Sequence, residues 1–326
     1  MSQNKEYLLS EENNRLTVYP IKNMSIWDLY KKQQAAFWTV EEVDMSQDYD
    51  HFCKFNKDEQ HFIKNILAFF AASDTIVNIN LLERFTSDVQ IMEAKIAYTY
   101  QAMMENIHGE MYSLMIETLV KDQEEKDKLM DAVNTIPCIS QKAEWAFKWI
   151  DSDESFAARI VAFAIVEGIF FSGSFCSIFW IKHTKKDKMP GLTLSNEFIA
   201  RDEGMHTDFA CLLYSHLTEK LTQEKIHSMI KEAVEIEIEF VTKSLPCKLI
   251  GMNSELMARY IKYVADRLCY SLKYEKIYNE KNPFQWMETI SLEGKSNFFE
   301  NRASQYQNAN ILNKTSKGDF KILDDF

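Results

Sequence analysis

Long segments with an apolar stripe alternate with short polar breaks along this chain, and the apolar residues recur at three- and four-residue spacing. The pattern predicts helices over 26–36, 58–85, 89–118, 122–133, 139–150, 154–182, 192–217, 222–243, 253–274 and 285–292. Residues 1–25 read as an irregular arm with a short extended piece, Arg15-Leu-Thr-Val-Tyr-Pro20. From Asn301 the apolar density falls, and Asn308 to Asp319 is polar, as in a flexible linker. The chain then ends in Phe320-Lys-Ile-Leu-Asp-Asp-Phe326, whose large apolar residues read as a docking peptide. Three parts are therefore expected: an arm (1–25), a helical domain (26–300) and a tail (301–326).

The stretch from Val161 to Ile181 imitates a membrane span, but Glu167 interrupts it and Ser172, Ser174 and Ser177 follow. A charge there would be costly in lipid. The reading is a helix buried in a protein core, with no membrane partner. Only 8 Gly and 5 Pro occur in 326 residues, which favours long helices and an all-α fold.

The net charge of −12, with no Lys/Arg cluster among aromatics, argues against a nucleic-acid partner. The basic run Lys182 to Lys188 reads as a solvated loop between helices. Six cysteines (53, 138, 176, 211, 247, 269) show no Cys-x-x-Cys spacing, and several sit in apolar runs. Reduced, buried thiols and a cytoplasmic setting are expected. The polar N-terminus lacks a signal-peptide core.

The chemistry is carried by two Glu-x-x-His units, Glu105-Asn-Ile-His108 and Glu203-Gly-Met-His206. Residues three apart share a helix face, so each unit aims a carboxylate and an imidazole at one point. Two further acids interrupt apolar helices: Asp74 within Ile66–Val77 and Glu167 within Val161–Phe171. A buried carboxylate protonates, pairs or binds a metal, and neither acid has a basic residue one turn away. Either alone would pass as a protonated core acid. Together with the two Glu-x-x-His units they form the donor pattern of a dinuclear site in a ferritin-like bundle.

Longer strings carry a resemblance: Ala36-Phe-Trp-Thr-Val-Glu-Glu-Val-Asp44, Phe69-Phe-Ala-Ala-Ser-Asp74, Glu105-Asn-Ile-His-Gly-Glu-Met-Tyr-Ser113, Val166-Glu-Gly-Ile-Phe-Phe-Ser-Gly-Ser-Phe175, Ser195 to His206, Asn282-Pro-Phe284 and the terminal Phe-x-x-Leu-Asp-x-Phe. Over nearly its whole length the chain resembles the small, radical-generating subunit of class I ribonucleotide reductase, closest to the eukaryotic and large-virus branch. The resemblance implies a ferritin-like helical bundle forming a homodimer. It makes Asp74, Glu105 and His108 the ligands of one iron, and Glu167, Glu203 and His206 those of the other, with manganese as a substitute metal. Tyr112 falls at the radical position. The phenol lies one turn beyond His108, since the two are i and i+4. Phe171, Phe175 and Ile199 are implied as an apolar shell around it. Asp202 is implied to bond His108 and Trp38, and Tyr306 matches a mobile relay tyrosine. Dioxygen would be the oxidant, and a large subunit, docked through residues 320–326, would reduce ribonucleoside diphosphates.

This chain has no Gly-rich phosphate loop or redox Cys pair, so it should not turn over nucleotide alone. Thr75 and Ile79 replace residues more often Gly and Glu in close relatives, the 182–190 loop is about two residues longer than in vertebrate-like members, and the N-terminal extension of many relatives is nearly absent. All six ligand positions and the tyrosine are kept. The alternatives are a di-iron oxygenase or oxidase of the same bundle class, and a non-catalytic iron-storage or structural partner. The first predicts a substrate channel and no stable radical; the second gives Tyr112 and the terminal peptide no role.

Overall fold

The computed structural model describes residues 6–150 and 152–287. The chain divides into two units, Met1–Pro283 and Phe284–Phe326. In the second, the described residues are 284–287, with a helical turn at 285–287. Tyr306, residues 320–326 and the expected tail boundary at 301 lie outside the described residues.

The first unit is helical, and no strand occurs among its described residues. Its α-helices are α1 (Met24–Ala35), α2 (Asp48–Phe52), α3 (Lys57–Asn80), α4 (Thr86–Asp88), α5 (Met92–Leu119), α6 (Gln123–Met130), α7 (Ala132–Thr135), α8 (Pro137–Ile150), α9 (Phe156–Ile165), α10 (Ser172–Thr184), α11 (Pro190–His216), α12 (Gln223–Glu239) and α13 (Ser254–Ser271). The long helices α3, α5 and α11, with α9 and α10, form the centre. α3 lies along α5, α9 along α11, and α1 against both α5 and α11.

The expected helices up to residue 274 are present within a few residues of their predicted ends, with instructive exceptions, while the one over 285–292 runs beyond the described residues. The predicted helices over 58–85, 154–182 and 222–243 each contain a π-helical turn, at Leu81–Phe85, Val166–Phe170 and Phe240–Ser244. A π turn inserts one residue and re-aims the side chains after it. In an all-apolar run such as Val161–Phe171 no polar face marks the shift in phase. The short helix α2 carries too few residues to show a period. α10 continues to Thr184, so the basic loop begins later than predicted, and Lys185 pairs with Glu59 at 2.7 Å. The apolar stretch Phe156–Thr184 is 89% buried over its most apolar window, inside the protein.

Three buried acids seat the helices that matter. Asp48 on α2 accepts from the Gly191 (3.0 Å) and Leu192 (2.7 Å) N–H groups at the first turn of α11, where such donors have no intrahelical partner. A Cβ on Gly191 would lie 2.9 Å from the Asp44 carbonyl, so only glycine allows this approach. Asp266 on α13 accepts from the N–H groups of Ile277, Tyr278 and Glu280.

Glu93, at the start of α5, ties down the N-terminal arm. It accepts from Arg15 Nη2 (2.8 Å) and from the N–H groups of Lys22 (2.6 Å) and Asn23 (3.2 Å). Burial raises its pKa, but the Arg15 and backbone hydrogen bonds outweigh this and bring it down to about 2. A depressed carboxylate stabilises the fold above its unfolded pKa, and this is lost as pH falls through the folded value. Glu93→Gln is therefore expected to destabilise the fold at neutral pH, by about 1–2 kcal/mol once solvent screening is allowed for. In pH-dependent thermal melts the gap between the two proteins should close as pH falls from about 4.5 toward 2.

Candidate metal centre

Each predicted ligand is placed by its helix. Asp74 comes from α3, Glu105 and His108 from α5, Glu167 from the π turn at Val166–Phe170, and Glu203 and His206 from α11. All six side chains are buried. Two groups form around the shared Glu105: Asp74 with Glu105 and His108, and Glu105 with Glu167, Glu203 and His206. Within each group the donor atoms lie within 4.8 Å of one another. The two imidazole centroids are 6.0 Å apart. Glu203 spans the gap, with Oε1 3.1 Å from His108 Nδ1 and Oε2 3.0 Å from His206 Nδ1.

The electrostatics are those of a cage built for cations. Among the described residues, none of the four carboxylates pairs with Lys or Arg. Both oxygens of Asp74 lack a hydrogen-bond partner, and those of Glu105 and Oε2 of Glu167 face only the imidazoles, with Glu105 Oε1 2.9 Å and Glu167 Oε2 3.3 Å from His206 Nδ1 and Glu105 Oε2 3.4 Å from His108 Nδ1. Buried polar atoms are rarely left so, and a bound ion is one of the few explanations that suits several at once. Burial, then the charge of Glu105, pushes the Asp74 pKa well up; burial, then Glu203, does the same to Glu167. Burial opposes charge on both imidazoles. Hydrogen bonds that the ring of His108 donates to Asp202, Glu105 and Glu203 nevertheless raise its pKa, and the charges of Glu105 and Glu167 raise that of His206. A donor set of four carboxylates and two imidazoles suits a pair of first-row metal ions.

The surroundings are ordered. Trp38 Nε1 donates to Asp202 Oδ2 (2.7 Å), which also lies 3.2 Å from His108 Nε2. The Trp38 and His108 rings stack at 6.0 Å and 18°. Asp202 Oδ1 accepts from Arg201 Nη2 at 2.9 Å. A carboxylate on the outer nitrogen of an imidazole fixes its orientation and leaves the inner nitrogen for a metal.

Tyr112 is 1% exposed and its hydroxyl has no hydrogen-bond partner. Burial, then the charge of Asp74, raises its pKa well above the usual phenol, so it is a neutral phenol. Phe70 stacks on it at 4.6 Å and 5°, and Phe171 and Phe175 close on Phe70 at 5.6 and 4.7 Å. Ile199 is also fully buried.

Sequence reasoning missed Phe70 and Gln101. Gln101 Nε2 donates to Glu167 Oε1 at 3.1 Å. Both residues lie four positions before a ligand, Asp74 and Glu105, so the helical repeat was the available signal.

The family model for the ribonucleotide reductase small chain matches residues 15–283, most of the sequence and a span that contains all six candidate donors. The chain belongs to this family. The ribonucleoside-diphosphate reductase small chain of Spisula solidissima is 56% identical over 98% of this chain, and the match covers 83% of the Spisula protein. The small chain of Nicotiana tabacum is 54% identical over 99% of this chain, and the match covers 98% of the Nicotiana protein. Among solved structures, the ribonucleotide reductase Rnr4 homodimer of Saccharomyces cerevisiae superposes with a TM-score of 0.79 at 42% identity, covering 92% of each chain. The dimanganese(II)-NrdF of Streptococcus sanguinis, at 18% identity, shares the fold with a TM-score of 0.72; the match covers 82% of this chain, and 94% of that one. Membership in the small-chain family sets aside the oxygenase and iron-storage readings.

Proposed function

We propose that this chain is the radical-generating subunit of a class I ribonucleotide reductase, with a dinuclear metal centre in the cage and a radical stored on Tyr112. The observation that carries this is a buried cluster of four carboxylates and two imidazoles with no Lys or Arg among the described residues paired to it and with both Asp74 oxygens lacking a partner, in a cage whose α5 helix sets the buried phenol of Tyr112 one turn beyond His108. Asp74, Glu105 and His108 would hold one ion, and Glu167, Glu203 and His206 the other. Two iron ions per chain are the expected occupants, with manganese as a substitute that the same donors accept. When bound, the metal pair supplies the oxidising equivalent drawn from dioxygen.

The protein's own residues do the rest. Tyr112 would give up one electron to that oxidising equivalent and its hydroxyl proton to a carboxylate of the cage, among which the charge of Asp74 raises the phenol's pKa most. Phe70, Phe171 and Phe175 keep water and reductants from the ring. Trp38 and Asp202 join His108 toward the outside of the cage and are the start of a route by which the oxidising equivalent leaves. Tyr306 continues that route, and residues 320–326 dock a separate large subunit that reduces ribonucleoside diphosphates to deoxyribonucleoside diphosphates. The protein works as a homodimer in the cytoplasm. Six free cysteines fit that setting.

The test loads the full-length protein with ferrous iron in air and records an electron paramagnetic resonance spectrum, then adds large subunit and measures nucleotide reduction. A tyrosyl signal and turnover are expected; absence of both in fully metallated protein would refute the reading. The tail is tested in the same assay. Tyr306→Phe should keep metal, radical and large-subunit binding, yet lose about a hundredfold or more in turnover. Deleting 320–326 should keep metal and radical but weaken large-subunit binding by about a hundredfold, since Phe320, Leu323 and Phe326 are its apolar anchors. Normal turnover in Tyr306→Phe would send the relay to other aromatic groups.

A further inference from the structure

A second buried charged group lies apart from the cage. Lys142 on α8 is 3% exposed and forms an ion pair with Glu237 on α12, which is 0% exposed. The Lys142 ammonium sits between two aromatic faces, 3.9 Å from the Phe69 centroid and 3.7 Å from that of Phe240. It also donates to the Phe170 carbonyl at 2.9 Å. Glu237 Oε1 accepts from the Gly173 N–H at 3.2 Å. A Cβ at position 173 would lie 2.5 Å from that oxygen, so glycine is what admits the carboxylate.

These two backbone contacts bracket one place. Phe170 ends the π turn that carries Glu167, and Gly173 lies in the first turn of α10. Phe171, between them, packs edge-on to Phe69 (5.8 Å) and to Phe70 (5.6 Å), the ring that stacks on Tyr112. A π turn is an uncommon one-residue insertion in a helix, and its contacts decide where along the helix it sits. An apolar pair of equal volume would fill the same space, but it offers no donor to the Phe170 carbonyl and no acceptor to the Gly173 N–H. What the charged pair adds is direction: a donor for one backbone group and an acceptor for another, three residues apart.

We propose that Lys142 and Glu237 are positioning residues that clamp the Phe170–Gly173 junction, holding Glu167 in the cage and Phe171 in the wall of the Tyr112 pocket. The effect on the radical rests on the function proposed above; the clamp itself does not.

The experiment uses the full-length protein carrying Lys142→Met with Glu237→Leu, which keeps volume and removes both charges. Amide exchange of metal-free protein is read by mass spectrometry over 166–175, and radical decay of the iron-loaded protein by paramagnetic resonance. The segment is expected to exchange about tenfold faster and the radical to decay about tenfold faster, with the melting midpoint lowered by about as much as in the control below or less. Ile230→Ala on α12 serves as control: it opens a core cavity and lowers the midpoint, but should move neither readout. Exchange over 166–175 within about twofold of wild type in the double variant, or an equal rise in Ile230→Ala, would overturn the clamp. Should the double variant not fold, Glu237→Gln removes the ion pair and keeps an acceptor for Gly173. A smaller rise over the same segment is then expected, and no rise overturns the proposal. Wild-type protein that loads metal without forming a radical would sink the functional reading, while the exchange result still decides the clamp.

Discussion

Tyr112→Phe is expected to abolish both the organic radical and nucleotide reduction while leaving the fold and the metal content intact. The substitution removes one hydroxyl that is buried and makes no hydrogen bond. Losing an unpartnered buried hydroxyl costs no contact, and stability should hold or rise by up to about 1 kcal/mol. The stacked contact with Phe70 at 4.6 Å survives, because the ring stays. Chemistry changes completely: phenylalanine has no proton to release and is not oxidised in the same range. Turnover should drop by at least about a thousandfold, a barrier increase of about 4 kcal/mol. Paramagnetic resonance, elemental analysis and a thermal melt on one preparation separate these outcomes. A melt lowered by many degrees would point to a structural tyrosine.

Glu203→Ala should have the opposite profile, with little change in helicity but loss of metal. Glu203 is the carboxylate that faces both imidazoles, at 3.1 and 3.0 Å. Removing it takes a donor from between the two ion positions and leaves His108 and His206 without the group that lies between them. Metal content should fall from about two ions per chain to fewer than about one, and the radical should vanish with it. Far-ultraviolet dichroism should be unchanged, because Glu203 is held within α11 and the start of that helix is seated elsewhere, by Asp48 and His51. Retention of two ions in this variant would remove Glu203 from the ligand set.

These residues could be named from the sequence because their geometry is local. Glu105 with His108, and Glu203 with His206, are fixed by the helical repeat before any tertiary contact forms. Asp74 and Glu167 were visible for a different reason: each is an acid in an otherwise apolar helix, and such an acid demands a partner. What the sequence left hidden is non-local or out of phase. Phe70 faces Tyr112 from another helix, Gln101 reaches Glu167 across 66 positions, and Lys142 meets Glu237 across α8 and α12. No spacing rule links such pairs. The π turn at Val166–Phe170 was hidden because its neighbours are apolar on every side, so a one-residue shift changes no visible pattern. The Trp38–Asp202–His108 arrangement came from resemblance rather than spacing, and the structure brings those three groups within hydrogen-bond distance in sequence.

Two metal ions in this cage would be seen directly by anomalous scattering. Crystals of the iron-loaded protein should be measured with X-rays just above and just below the iron absorption edge. Two anomalous peaks per chain are predicted, one beside Asp74, Glu105 and His108 and one beside Glu167, Glu203 and His206. A cage with no anomalous peak in protein that contains iron, or peaks located elsewhere in the molecule, would rule out a metal pair held by these six residues.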